Sequence, residues 1–211
     1  MSIAKLIEIT NSSEYLLNCD LELKNITINY NQKELIFHYF IKCDSTNEIQ
    51  EWELKVNGCK YLHKIFNRVY LPYISLSIEK SHPILWKFNE KLLRFSMTNY
   101  PLDDTKFIGD LYNMFDSISG NWILMQDYFY SVQNNFKKSN SLSIVLPKQF
   151  KISLIEICNI HNIKLNIKDE NHLRKSRNKT LIFGNERIVA NSYNLGQPYI
   201  VAESFKAQKI K

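Results

Sequence analysis

The chain has 211 residues, 45% of them apolar and 23% charged, with a net charge of +6. That balance supports a packed core and argues against a disordered chain. No run approaches the roughly 18 apolar residues of a membrane-spanning helix. Five glycines, at 58, 109, 120, 184 and 196, leave no room for a phosphate-cradling loop or a dinucleotide fingerprint.

The charge is uneven. Residues 1–135 carry 13 Lys/Arg against 16 Asp/Glu, and residues 136–211 carry 14 against 5. The same division holds 21 of the 27 aromatic residues, including all three Trp, on its N-terminal side. Part of the Lys excess reads as coding bias, because Asn, Ile and Lys together make up 71 residues. The opening segment has Glu8 where a signal peptide would be apolar, so a cytoplasmic location is expected.

In chain order, Asn25–Tyr30 alternates, with Ile26, Ile28 and Tyr30 on one face. Leu35–Lys42 follows after a turn and carries apolar residues on both faces, giving a hairpin. Ile49–Val56 is a third strand, with Glu51, Glu53 and Lys55 on a wet face. Pro72–Ile78 and Lys91–Thr98 are further strands, and the short loops between them point to an antiparallel meander. Asp103 and Asp104 begin a helix, Phe107, Ile108, Leu111, Tyr112, Phe115 and Ile118 form its stripe, and Gly120 ends it.

Asn134–Ser141 has linker composition. Beyond it Leu142–Leu146 is a strand, Gln149–Asn159 a helix with Phe150, Leu154, Ile157 and Cys158 inward, and Ile163–Ile167 a strand. Leu181–Phe183 and Tyr199–Ala202 complete the series. The fold class expected is α+β: an antiparallel β-meander with one or two packed helices, then a small β-α-β part with a mixed sheet. The division expected is 1–135, acidic and aromatic-rich, against 136–211, basic, with one continuous domain as the alternative.

The basic run Arg174-Lys175-Ser176-Arg177-Asn178-Lys179 is the leading candidate for binding. Its cations suit phosphates. A solvated loop is the plainer reading, and the aromatics that stack bases are absent from its sequence neighbourhood. Glu51 and Glu53 share a strand face, and Trp86 in the run Ser81–Phe88 is an interface anchor if exposed and a core residue if not. Cys59–His63 and Cys158–His161 have the residue types of a zinc site. They lie far apart in the chain, so no metal is expected, and neither is a cofactor. No residue is assigned a catalytic role.

The function expected is a non-enzymatic bacterial protein-binding module of the toxin-neutralising, immunity type, with a protein partner and no membrane partner. Nucleic-acid binding through Arg174, Lys175, Arg177 and Lys179 is the alternative. A hydrolase or nuclease built on His38, His63, His82, His161 or His172 is a second alternative. Oligomeric state is left open.

Overall fold

The computed structural model describes residues 3–13, 19–29, 31, 34–43, 46–65, 70–72, 75–120, 122–129, 132–170, 177–184 and 198–211. In chain order the elements are α1 (Ile3–Thr10), β1 (Cys19–Asn29), β2 (Glu34–Cys43), β3 (Glu48–Asn57), β4 (Tyr61–His63), β5 (Tyr70–Pro72) and β6 (Leu76–Glu79). A short 3-10 turn at Pro83–Leu85 leads into α2 (Trp86–Asn89), followed by β7 (Leu92–Thr98), α3 (Asp104–Ser119), α4 (Gln126–Phe129) and α5 (Val132–Ser139). Then come β8 (Ser141–Pro147), α6 (Lys151–Ile160), β9 (Lys164–Glu170), β10 (Lys179–Phe183), β11 (Tyr199–Ala202) and β12 (Ser204–Lys209). The class is α+β with a β-meander, as the alternation of the sequence implies.

The chain divides into two compact units, Met1–His82 with Arg177–Lys211, and Pro83–Ser176. This differs from the expected partition at residue 135. The segment Asn134–Ser141, expected as a linker, instead holds most of α5, with Phe136 buried and edge-on to Tyr100. Residues 141–170 stay with Leu92–Thr98 because β8 and β9 flank β7. The second unit is therefore an insertion between β6 and β10 of the first, and those two strands are direct neighbours, with Glu79 opposite Thr180.

The first unit has a five-stranded sheet, β12-β3-β2-β1-β5, and a four-stranded sheet, β4-β11-β10-β6. Both contribute to one core. Phe37, Tyr39, Trp52, Leu54 and Val56 come from the first sheet, and Leu76, Leu181, Phe183 and Ile200 from the second, with Leu6 of α1. Tyr39 and Phe183 touch across it, ring centroids 6.0 Å apart. Burial pushes the Tyr39 phenol far up, so it stays neutral there. The buried Trp52 indole donates to Gln50 Oε1 at 3.1 Å, and the Gln50 amide donates to Glu48 Oε1 at 3.0 Å. The edge strand β6 is tied by Asn11, whose side chain donates to the Leu76 carbonyl and accepts from its N–H.

β1 solves a phase problem written in the sequence. Leu21 and Leu23 are odd-numbered, whereas Ile26 and Ile28 are even-numbered, so a regular strand would put them on opposite faces. A register shift between Leu23 and Asn25 corrects this. Leu23 pairs with Tyr39 and Ile26 with Phe37, so both pairs share the core face.

The second unit is a three-stranded sheet, β8-β7-β9, with helices on one face. Leu93, Phe95 and Met97 of β7 face Phe115, Phe150 and Leu154 of the helical layer in one core. The α3 helix begins and ends as its sequence demands. Asp103 caps it by accepting the Lys106 N–H at 2.9 Å, and Gly120 closes it at φ +59°. Its stripe is Phe107, Leu111, Met114 and Phe115, with Tyr112 47% exposed rather than inward. The expected β-α-β stretch is present, but its strands do not pair with each other. β7 lies between them and is antiparallel to both, so the pairing is antiparallel rather than mixed. β10 and β11 belong to the first unit.

Candidate functional site

The register of the first unit's large sheet fixes a side-chain lattice on the face away from the core. Glu22, Phe40 and Glu51 form one row. Asn25, His38, Glu53 and Gln208 form the next, and Thr27, Ile36, Lys55 and Lys206 the third. Phe40 is half-buried, with the Lys24 ammonium 4.3 Å from its ring centroid. Lys24 is the residue displaced by the register shift, so the same irregularity that aligns the core also brings a cation over this ring. Glu53 accepts from the Gln208 amide at 2.8 Å and pairs with Lys55 at 3.1 Å. Ile49, 54% exposed, extends the apolar content of the face.

Glu51 and Glu53 are thus brought together with Phe40 and His38, which the sequence did not single out for this role. The signal was available: alternate residues on β2 that do not fit the core face. Arg177 is exposed and Lys179, half-buried, opens β10. Arg174 and Lys175 lie outside the described residues, as does His172. Trp86 belongs to the other unit, where it is half-buried and edge-on to Phe150, a packing role.

Comparison with protein-family models, with curated proteins and with solved structures finds no match.

The two Cys–His pairs are in different units, and among the described residues no three His, Cys, Asp or Glu side chains converge as metal ligands do. Cys158 is buried and its thiol is pushed up to about 12 by that burial. The Cys59 thiol is also raised by burial, opposed by a contact with the Tyr61 carbonyl and by the Lys60 charge. His161, at the end of α6, has Nε2 2.8 Å from an Asp110 carboxylate oxygen on α3 and packs edge-on to Phe107. It ties two helices together. It also lines an open cleft of about 430 Å3 with Asn99, Tyr100, Leu102, Asp103, Lys106, Ile160 and Asn162. An oriented imidazole in a cleft has the form of a general base, but among the described residues no serine, threonine or cysteine lines this one.

His63 is stacked on Tyr199, centroids 4.6 Å apart, with Tyr61 beside both. Aromatic rings absent from the sequence neighbourhood of Arg177 and Lys179 are therefore present on the sheet that β10 joins.

Proposed function

We propose that the protein is a non-enzymatic protein-binding module whose partner docks on the outer face of the β12-β3-β2-β1-β5 sheet. The observation that carries this reading is the row Glu22–Phe40–Glu51 beside His38 and Glu53. A half-buried aromatic ring between two carboxylates, with the Lys24 ammonium over it, offers apolar area at the centre and charge of both signs at the rim. Glu22, Glu51 and Glu53 stand beside Lys24, Lys55 and Lys206, so the face suits a partner of complementary mixed charge rather than a uniformly basic one. A toxin or effector held inactive by a cytoplasmic bacterial partner is the type of complex that fits.

Purification from the native host at low and high salt tests this. A protein partner retained by the native chain and released by Glu51→Lys with Glu53→Lys supports the reading. A chain that elutes alone at every salt concentration, or a variant that keeps the same partner equally well, overturns it.

A further inference from the structure

Cys19, the first residue of β1, stands directly opposite Cys43, the last residue of β2. Backbone hydrogen bonding decides which kind of cross-strand pair they make. On β3, Glu51 turns both backbone groups toward the end of the chain. Its N–H donates to the Lys211 carbonyl at 3.0 Å, and its carbonyl accepts from the Ile210 N–H at 2.7 Å. Successive residues of an antiparallel strand address alternate neighbours. The pairing of β3 is regular on both sides, so its odd-numbered residues serve β12 and its even-numbered ones serve β2. Cys43 lies opposite Glu48, so its backbone groups are used toward β3. Toward β1 it therefore makes a non-hydrogen-bonded pair with Cys19.

The other flank of β1 agrees. Pro72 of β5 lies opposite Asp20. Proline has no N–H, so that pair is not hydrogen-bonded, and Asp20 turns its groups to Lys42 of β2. Cys19, one residue earlier, turns its own away from β2. Non-hydrogen-bonded partners are the closer kind, with Cα atoms about 4.5 Å apart. A disulfide spans Cα separations of about 4.4–6.8 Å. The pair is also in step with the core: Cys43 is 2% exposed and alternates with Ile41 and Tyr39, and Cys19 with Leu21 and Leu23. The other two cysteines lie elsewhere, Cys59 beyond the end of β3 and Cys158 on α6 of the second unit.

We propose that Cys19 and Cys43 form a reversible disulfide by exchange with a low-molecular-weight disulfide such as oxidised glutathione. The thiolate of one cysteine attacks the small disulfide, giving a mixed disulfide and releasing one small thiolate. The thiolate of the other attacks the protein-bound sulfur, closes the Cys19–Cys43 bond and releases the second. Each protein thiol gives up one proton, and each released thiolate takes one up. The two electrons lost by the cysteine pair thus reduce the small disulfide, and excess small thiol reverses the reaction. Disulfides of this kind in a reducing compartment are transient and redox-responsive. On its other side this end of β1 pairs with the three-residue β5, so oxidation adds a covalent tie beside a short one.

Incubation of the folded chain, without denaturant, in mixtures of oxidised and reduced glutathione tests this. Alkylation and tryptic digestion then place each cysteine in its own peptide: 6–24 for Cys19, 43–55 for Cys43, 56–60 for Cys59 and 152–164 for Cys158. Peptide 6–24 joined to 43–55 is expected as the dominant linked product, with loss of the Cys19 and Cys43 thiols and recovery of both in dithiothreitol. Cys59→Ala with Cys158→Ala is expected to form the same link, and Cys19→Ala to lose it. In concentrated urea, where the strand register is gone, the preference for this pairing is expected to disappear. Cys19 and Cys43 ending as unreacted thiols or as separate glutathione adducts in the folded chain overturns the proposal. So does linkage to Cys59 or Cys158 as often as to each other, or the same preference in urea, which would owe nothing to the register.

Discussion

Gly58 and Glu203 oppose one another at the corner where two hydrogen-bonded chain segments leave one sheet of the first unit and enter the other. β3 and β12 pair on one side of the corner, β4 and β11 on the other. The Glu203 N–H donates to the Asn57 carbonyl at 3.1 Å, and the Lys60 N–H donates to the Val201 carbonyl at 2.8 Å. Strands that switch sheets need such a bend, and here both segments bend together. Gly58 takes it at φ +61°, in the left-handed region.

Gly58→Ala is expected to destabilise the protein by about 1–2 kcal/mol, most of it from the left-handed backbone. The added Cβ would also stand 2.6 Å from Glu203 Cδ. That side chain is flexible, and its exposed pair with Lys60 at 2.9 Å costs little to give up. Adding Glu203→Ala to Gly58→Ala should therefore restore only a few tenths of a kcal/mol in urea unfolding. Full recovery in the double variant would mean that the clash, and not the left-handed backbone, causes the loss.

The insertion makes the first unit separable. Lys80 and Lys179 follow and precede the directly paired Glu79 and Thr180. A chain in which His82 is joined to Arg177 through Asn-Gly, the favoured two-residue hairpin connection, keeps the buried His82 and Asn178 of this unit and is expected to fold and to unfold cooperatively. Among the described residues, the core of Phe37, Trp52, Leu54 and Phe183 is built from this unit's own residues. A shortened chain without near-ultraviolet dichroism from Trp52 would show that this unit needs the other to fold.

The sequence made individual elements legible and their assembly much less so. The α3 helix was readable to its caps, because Asp103, the apolar stripe and Gly120 act within one helix. The strands β2, β3, β7 and β8 were readable from alternation. The division of the chain was not. Charge and aromatic content change near residue 135, but neither records that β10 returns to pair with β6 across an insertion. Local rhythm likewise suggested that β8 and β9 pair, since nothing within residues 141–170 shows that β7 lies between them. The face around Phe40 escaped for the same reason: Glu22, Phe40 and Glu51 become a row only through register.

The phase shift in β1 lies in residues that the expected strand Asn25–Tyr30 did not reach, and it yields a sharp test. Lys24 is the extra residue, since Leu23 pairs with Tyr39 and Asn25 with His38. Deleting Lys24 leaves a regular strand with Leu21, Leu23, Ile26 and Ile28 still on the core face, so a stability loss within about 1 kcal/mol is expected. Deleting Glu22 instead throws the buried Leu21 out of phase with Leu23 and is expected to cost several-fold more, about 2–4 kcal/mol. Urea unfolding of the two deletions, equal in length, makes the comparison. Equal losses would mean that the shift at Lys24 does not set the register.

Asp104 gives the second unit a pH-dependent contact. Its carboxylate accepts from the Lys137 ammonium at 3.4 Å, and that hydrogen bond, then the Lys137 charge, holds the carboxyl below its usual range. The Tyr100 hydroxyl, 3.3 Å away, acts in the same direction. A folded value depressed below the unfolded one means that the stabilisation is fully present above the unfolded value. It is lost as pH falls through the folded one. The contact joins the first turn of α3 to the last turn of α5, where a cation also meets the negative helix end. Lys137→Met is expected to move the Asp104 carboxyl midpoint upward toward the ordinary aspartate value, read by the side-chain carboxyl carbon shift in an acid titration. A midpoint that does not move would remove Lys137 as the cause. Tyr100→Phe is expected to raise it less, because that hydroxyl is a minor contributor and the ammonium remains.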